Sequence, residues 1–130
     1  MTPEFILLAG VLVLALIQIL AAGAARTAEL GAKWNAGARD GDTPPPGKLA
    51  GRLMRAQANL FETLPLFAAA VIMAHVAGKD GLVTAVGAHL YVLGRVVYLA
   101  IYALGIPYLR SLVWLASTAG LVAIIVALFL

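Results

Sequence analysis

The side chains best equipped for chemistry are Arg52, Arg55, Asn59 and Glu62, which recur at steps of three and four in the stretch from Arg52 to Phe67. That spacing puts all four on one stripe of a helix. Arg95, Tyr98 and Tyr102 repeat the pattern further on, and Arg110-Ser111 follow closely. Arginine grips carboxylates through its bidentate fork, Glu62 suits an ammonium and Asn59 suits an amide. A small zwitterionic peptide with free carboxylates and an amine would satisfy the whole set.

The elements that must position these groups are membrane helices. Of 130 residues, 63% are hydrophobic and 12% charged, and the mean hydropathy is +1.00. Those values describe an integral membrane protein of the all-α class. Four apolar runs, residues 5–25, 50–78, 82–104 and 110–130, are long enough to span at about 20 residues each, and form one four-helix transmembrane domain over residues 1–130. The first lacks the basic flank of a signal peptide and is expected to be a true span. Arg26, Lys33, Arg39, Lys48, Arg52 and Arg55 cluster in or beside the first connection. By the positive-inside rule the loops at 26–47 and 105–110 are cytoplasmic and both termini lie outside. A basic cluster shared between a membrane interface and a helical stripe does not suit nucleic acid. The abundance of Ala and Gly points to a bacterial inner membrane.

Span one carries Gln18 as its strongly polar interior group, expected to bond a neighbouring helix. The segment 26–47 reads as a polar, turn-rich loop ending in Pro44-Pro45-Pro46-Gly47, placed to act as a lid over the Arg52/Arg55 end of span two. Pro65 is expected to kink span two beside Glu62. Arg95, near the middle of span three, needs an anion, and Glu62 is the carboxylate inside the second span. The pair either locks the two helices together or belongs to a ligand site. His75 and His89 read as packing or interfacial residues, without companions at metal-site spacing.

The chain has no cysteine, so any thiol chemistry must use a substrate's sulfur. Glutathione carries the carboxylates and amine described above and brings that thiol. A neighbouring guanidinium or hydroxyl donor would favour its thiolate, the nucleophilic form.

The pattern Arg-x-x-Arg-Ala-x-x-Asn-x-x-Glu-x-x-Pro-x-Phe over residues 52–67, with Arg95-x-x-Tyr98-x-x-x-Tyr102 and Arg110-Ser111, resembles the MAPEG family. These are membrane-associated proteins of eicosanoid and glutathione metabolism, including the microsomal glutathione transferases. The resemblance implies a homotrimer of four-helix bundles, with glutathione as co-substrate between subunits and a hydrophobic, lipid-like second substrate. It assigns Arg55, Asn59, Glu62, Arg95, Tyr98, Tyr102 and Ser111 to glutathione binding. It places Arg110 by the thiol, with Tyr102 as a second catalytic donor. Ala58 and Thr63 stand where particular eicosanoid branches have arginine or tyrosine, so eicosanoid specificity is not implied. The expected activity is conjugation of glutathione to hydrophobic electrophiles or reduction of lipid hydroperoxides. The alternatives are a non-enzymatic protein of the same fold that uses the stripe for assembly or small-ligand binding, and a proton-coupled exporter, which would need a carboxylate deep in span one.

Overall fold

A computed structural model describes all 130 residues. Helix α1 covers Pro3–Leu30, α2 Ala32–Ala36, α3 Lys48–Val76, α4 Leu82–Leu104 and α5 Leu109–Ala127. The four long helices are each long and apolar enough to cross a membrane, and the chain is an integral membrane protein. Short links make α3, α4 and α5 successive antiparallel neighbours. Arg52, Tyr102 and Arg110 thereby meet at one end of the bundle, here the loop end.

Helix α1 is longer than its apolar run suggests. Thr2 caps it by accepting a hydrogen bond from the Phe5 amide at 3.2 Å, and Pro3 occupies the first turn. Residues 26–30 were expected in the loop but remain helical, because Arg26-Thr27-Ala28-Glu29-Leu30 contains no breaker. Arg26 and Glu29 also pair across one turn at 3.7 Å. The helix ends at Gly31, whose φ of 94° suits glycine.

The remaining connection contains α2 and the irregular segment 37–47. Its contacts run back to α1: Arg26 Nη2 donates to the Pro44 carbonyl at 2.5 Å and to Thr43 Oγ1 at 3.3 Å, and Glu29 accepts from the Gly47 amide at 2.8 Å. The segment is thus a strap tied to the end of α1. None of these hydrogen bonds reaches Arg52 or Arg55.

The core joins Val11 and Leu14 of α1 to Leu60, Phe67 and Val71 of α3 and Ile124 of α5. The Tyr91 ring of α4 stacks on Phe67 at 4.2 Å between centroids. Helices α4 and α5 approach until their backbones touch, since a Cβ added to Gly87 would lie 2.6 Å from the Gly120 carbonyl oxygen. Small residues permit the same kind of close packing in membrane helices generally. Ser117 Oγ reinforces the seam by donating to the Tyr91 carbonyl at 2.9 Å. Helix α3 continues through Pro65 without interruption. Gln18 is buried at 2% exposure, yet its amide makes no hydrogen bond to a neighbouring helix. Position on the buried face did not guarantee a polar partner across the helix interface.

At the opposite end, Glu4 is also 2% exposed and accepts a hydrogen bond from Thr84 Oγ1 at 2.6 Å. Its place in the first turn of α1 adds the attraction of the helix N-terminus. The His75 ring packs on Phe5 at 4.5 Å, with its Nδ1 2.6 Å from Asp80 Oδ2. Lys79 donates to the Leu128 carbonyl at 2.5 Å. These contacts fasten the α3–α4 turn to α1 and to the end of α5.

Candidate functional site

The polar stripe of α3 faces α4 as a ladder of cross-helix bonds. Arg52 Nη1 donates to the Ala103 carbonyl at 3.4 Å, and Arg55 Nε to Tyr102 Oη at 3.0 Å. Deeper in the bundle, Arg95 Nη1 donates to Asn59 Oδ1 at 2.6 Å, and Thr63 shares a 2.8 Å hydrogen bond with Tyr91 Oη. Asn59 and Thr63 stand four residues apart and share a face. The last rung was not foreseen from sequence, although that spacing carried the signal.

Arg95 does not pair with Glu62. It is 2% exposed, bonds Asn59 and lies over the Tyr98 ring at 4.4 Å from guanidinium carbon to centroid. Glu62 stands three residues after Asn59, about 60° back around the helix. That offset carries it off the α4 face onto the exposed side of α3, where it makes no ion pair within the chain. Arg55 is exposed on the same side.

The turn into α5 delivers the last group of residues. Gly105 adopts φ 74°, which favours glycine, and packs directly against the Arg52 guanidinium. Tyr108 then takes φ 61° and ψ −53°, while the Leu109 amide bonds the Pro107 carbonyl at 2.6 Å. This is a γ-turn of the rare positive-φ kind. It starts α5 so that Arg110 lies over the Tyr102 ring at 4.8 Å. A second guanidinium, that of Arg55, lies 5.8 Å from the same ring.

Between α3, α4 and the first turns of α5 lies a cleft of about 360 Å³, lined by Asn59, Tyr98, Arg110, Ser111, Trp114 and Leu115. The cleft collects Asn59, Tyr98, Arg110 and Ser111 from the residues singled out in the sequence. Tyr102 and Arg55 stand behind Arg110, Arg95 is buried behind Asn59, and Glu62 remains outside. Trp114 and Leu115 were not anticipated, although Trp114 follows Arg110 by four residues and so shares its face. Guanidinium, phenol, hydroxyl and amide N–H groups make the lining rich in donors. Such a wall suits a ligand carrying carboxylate or carbonyl oxygens, and a guanidinium beside a thiol stabilises the thiolate.

A second polar cleft of about 250 Å³ lies between the ends of α1, α2 and α3, with Arg26, Trp34, Arg39 and Gln57 among its lining residues. Trp34 is flanked there by Arg39 at 4.5 Å and Arg26 at 5.9 Å. An apolar groove of about 410 Å³ runs along the outside of α4 and α5. Its His89 donates Nδ1–H to the Ala85 carbonyl at 2.8 Å.

The family model of the MAPEG family matches residues 6–130. No curated protein and no solved structure matches the chain. The matched region contains α3, α4 and α5 whole, α1 from Ile6 onward and every residue of the cleft, and the chain belongs to the MAPEG family.

Proposed function

With membership of the MAPEG family as the premise, we propose that this protein is a glutathione-dependent membrane transferase that works as a homotrimer. The observation that carries the proposal is the meeting of Asn59, Tyr98, Arg110 and Ser111 around one cleft at the loop end of a membrane bundle. The carboxylates and amide carbonyls of glutathione match these donors. The thiolate is held beside Arg110, whose guanidinium compensates its charge, with Tyr102, which contacts both Arg55 and Arg110, as a second donor. The thiol proton leaves to solvent and the sulfur attacks an electrophilic carbon delivered from the bilayer. A thioether forms as the leaving group departs with its electron pair. With a lipid hydroperoxide, sulfur takes the terminal oxygen, the alcohol leaves, and a second glutathione reduces the sulfenic acid to give disulfide and water. Positioning of the tripeptide supplies much of the rate.

The trimer is supported by the outward side of α3, where Arg55 and Glu62 are exposed on a membrane-spanning helix. Charges facing lipid are costly, and a second copy removes that cost. Glu62 then reaches a glutathione bound between subunits and meets its ammonium group. The basic residues around the loop end support a cytoplasmic position for it, in keeping with a bacterial inner membrane.

The non-enzymatic alternative draws on the ladder itself, which spends Arg55, Asn59 and Arg95 on bonds between α3 and α4. Turnover separates the two readings. Purified protein is assayed for glutathione conjugation to 1-chloro-2,4-dinitrobenzene and for reduction of a lipid hydroperoxide. Activity lost in Arg110→Ala, with the trimer intact, supports the enzyme. A folded wild type inactive toward both compounds supports the assembly role.

A further inference from the structure

Arg95 is the one guanidinium fully enclosed by the bundle, and its contact with Asn59 has a consequence for how Asn59 meets a ligand. A guanidinium donates five N–H groups and accepts nothing. At 2.6 Å from Arg95 Nη1, the Asn59 side-chain atom must therefore be the carbonyl oxygen. The usual ambiguity between the oxygen and nitrogen of an asparagine amide is removed by the chemistry of its neighbour. Asn59 also lines the cleft, and its NH₂ group makes no hydrogen bond within the chain. With the oxygen committed inward, the NH₂ group is the end left for a ligand.

We propose that Arg95 is a positioning residue that acts through Asn59, fixing the amide so that it presents N–H donors to a carbonyl or carboxylate oxygen of the bound peptide. This deepens the proposed function and rests on it. Asn59 thus joins Arg110, Ser111 and Tyr98 as a fourth donor on one wall. The ammonium end of the ligand is left to Glu62, the carboxylate among the residues assigned to glutathione. Arg95, 2% exposed, does not itself touch the ligand. Its stacking on Tyr98 at 4.4 Å holds the guanidinium plane, and through it the amide, in one orientation.

The assignment separates two substitutions that otherwise look alike. Asn59→Asp keeps an oxygen for Arg95, strengthens that contact with a charge, and replaces the N–H donors by an acceptor. Arg95→Met keeps Asn59 but frees its amide to rotate. Glutathione binding is measured by calorimetry on the full-length detergent-purified protein as wild type, Asn59→Asp, Asn59→Ala, Arg95→Met and the Asn59→Ala/Arg95→Met double variant. Thermal unfolding is recorded for each. The expected result is that Asn59→Asp unfolds no earlier than wild type yet binds at least about tenfold more weakly, as loss of a hydrogen bond to a charged or strongly polar group implies. The double variant is expected to lose less than the sum of the two single losses, because part of the effect of Arg95 runs through Asn59, its other contact at the cleft being the Tyr98 ring. Unchanged or tighter binding by Asn59→Asp overturns the assignment, since Asn59 would then be offering its oxygen. Additive losses in the double variant overturn it as well. If Arg95→Met fails to fold, the Asn59→Asp comparison decides alone. A folded wild type that binds no glutathione removes the proposed function and this assignment with it.

Discussion

Replacing Gly120 by alanine tests the packing that holds α5, and with it Arg110, against α4. The added Cβ would lie 2.8 Å from Leu90 Cβ and 2.9 Å from the Tyr91 amide nitrogen, and closer still to the Gly87 carbonyl oxygen. Two of these three neighbours are backbone atoms, which cannot swing aside as a flexible side chain can. Carbon atoms rest at roughly 3.5–4 Å, so α5 must retreat by on the order of 1 Å, enough to forfeit a quarter to a half of each dispersion contact along the seam. Overpacking of this kind costs about 1–3 kcal/mol, and the better helix propensity of alanine returns at most about 1 kcal/mol. Taken from the middle of that range, the net loss is about 1 kcal/mol. The control is Gly10→Ala on α1, where an added Cβ meets nothing within 4 Å, so that only the propensity gain of at most about 1 kcal/mol is expected. Stability is read from reversible unfolding in mixed micelles of increasing SDS content, with wild type and both variants side by side. Since α5 carries Arg110 and Ser111 while α4 carries Tyr98, Gly120→Ala should also weaken glutathione binding. Equal stability of Gly120→Ala and wild type would refute the account of the α4–α5 seam.

Three further outcomes are expected. Tyr108→Gly should stabilise the protein by about 1 kcal/mol, because glycine adopts φ 61° without the strain that tyrosine bears there; earlier thermal unfolding of the variant would contradict this. Thr84→Val should cost about 1–3 kcal/mol by leaving the buried Glu4 carboxylate without its donor, and the additional change Glu4→Leu should recover most of the loss. Were the double variant no more stable than Thr84→Val, Glu4 would have some other partner. Glu62→Gln should lower glutathione affinity by about tenfold, the usual consequence of removing one charged hydrogen-bond partner, while cross-linking still yields a trimer. Retention of full affinity would take Glu62 out of the site.

The four spans were legible in the sequence because lipid demands long apolar runs, and α4 begins and ends where its run does. The end of α1 was not, because membrane hydropathy stops at the polar Arg26 whereas the helix stops only at the breaker Gly31. The polar stripe on α3 was visible from spacing alone, but its division was not. A step of three and a step of four both count as one face, yet they differ by about 100° around the axis, which sent Asn59 to Arg95 and Glu62 to the outside. The burial of Glu4 could not be read from its place in the first turn of α1. What encloses it is Thr84, 80 residues away on α4, and a partner at that separation leaves no mark on local periodicity. Trp114 and Leu115 entered the cleft because the γ-turn at Tyr108 sets the rotation of α5, and a backbone conformation that rare for tyrosine has no sequence signal.

The most direct test of the central claim is the ultraviolet difference spectrum of glutathione mixed with the purified protein at neutral pH, which reports thiolate. The wild type is expected to give a saturable thiolate signal, and Arg110→Ala to give none while remaining folded and trimeric. A folded wild type that binds glutathione without forming thiolate, or an Arg110→Ala signal equal to wild type, would contradict the role given to the cleft.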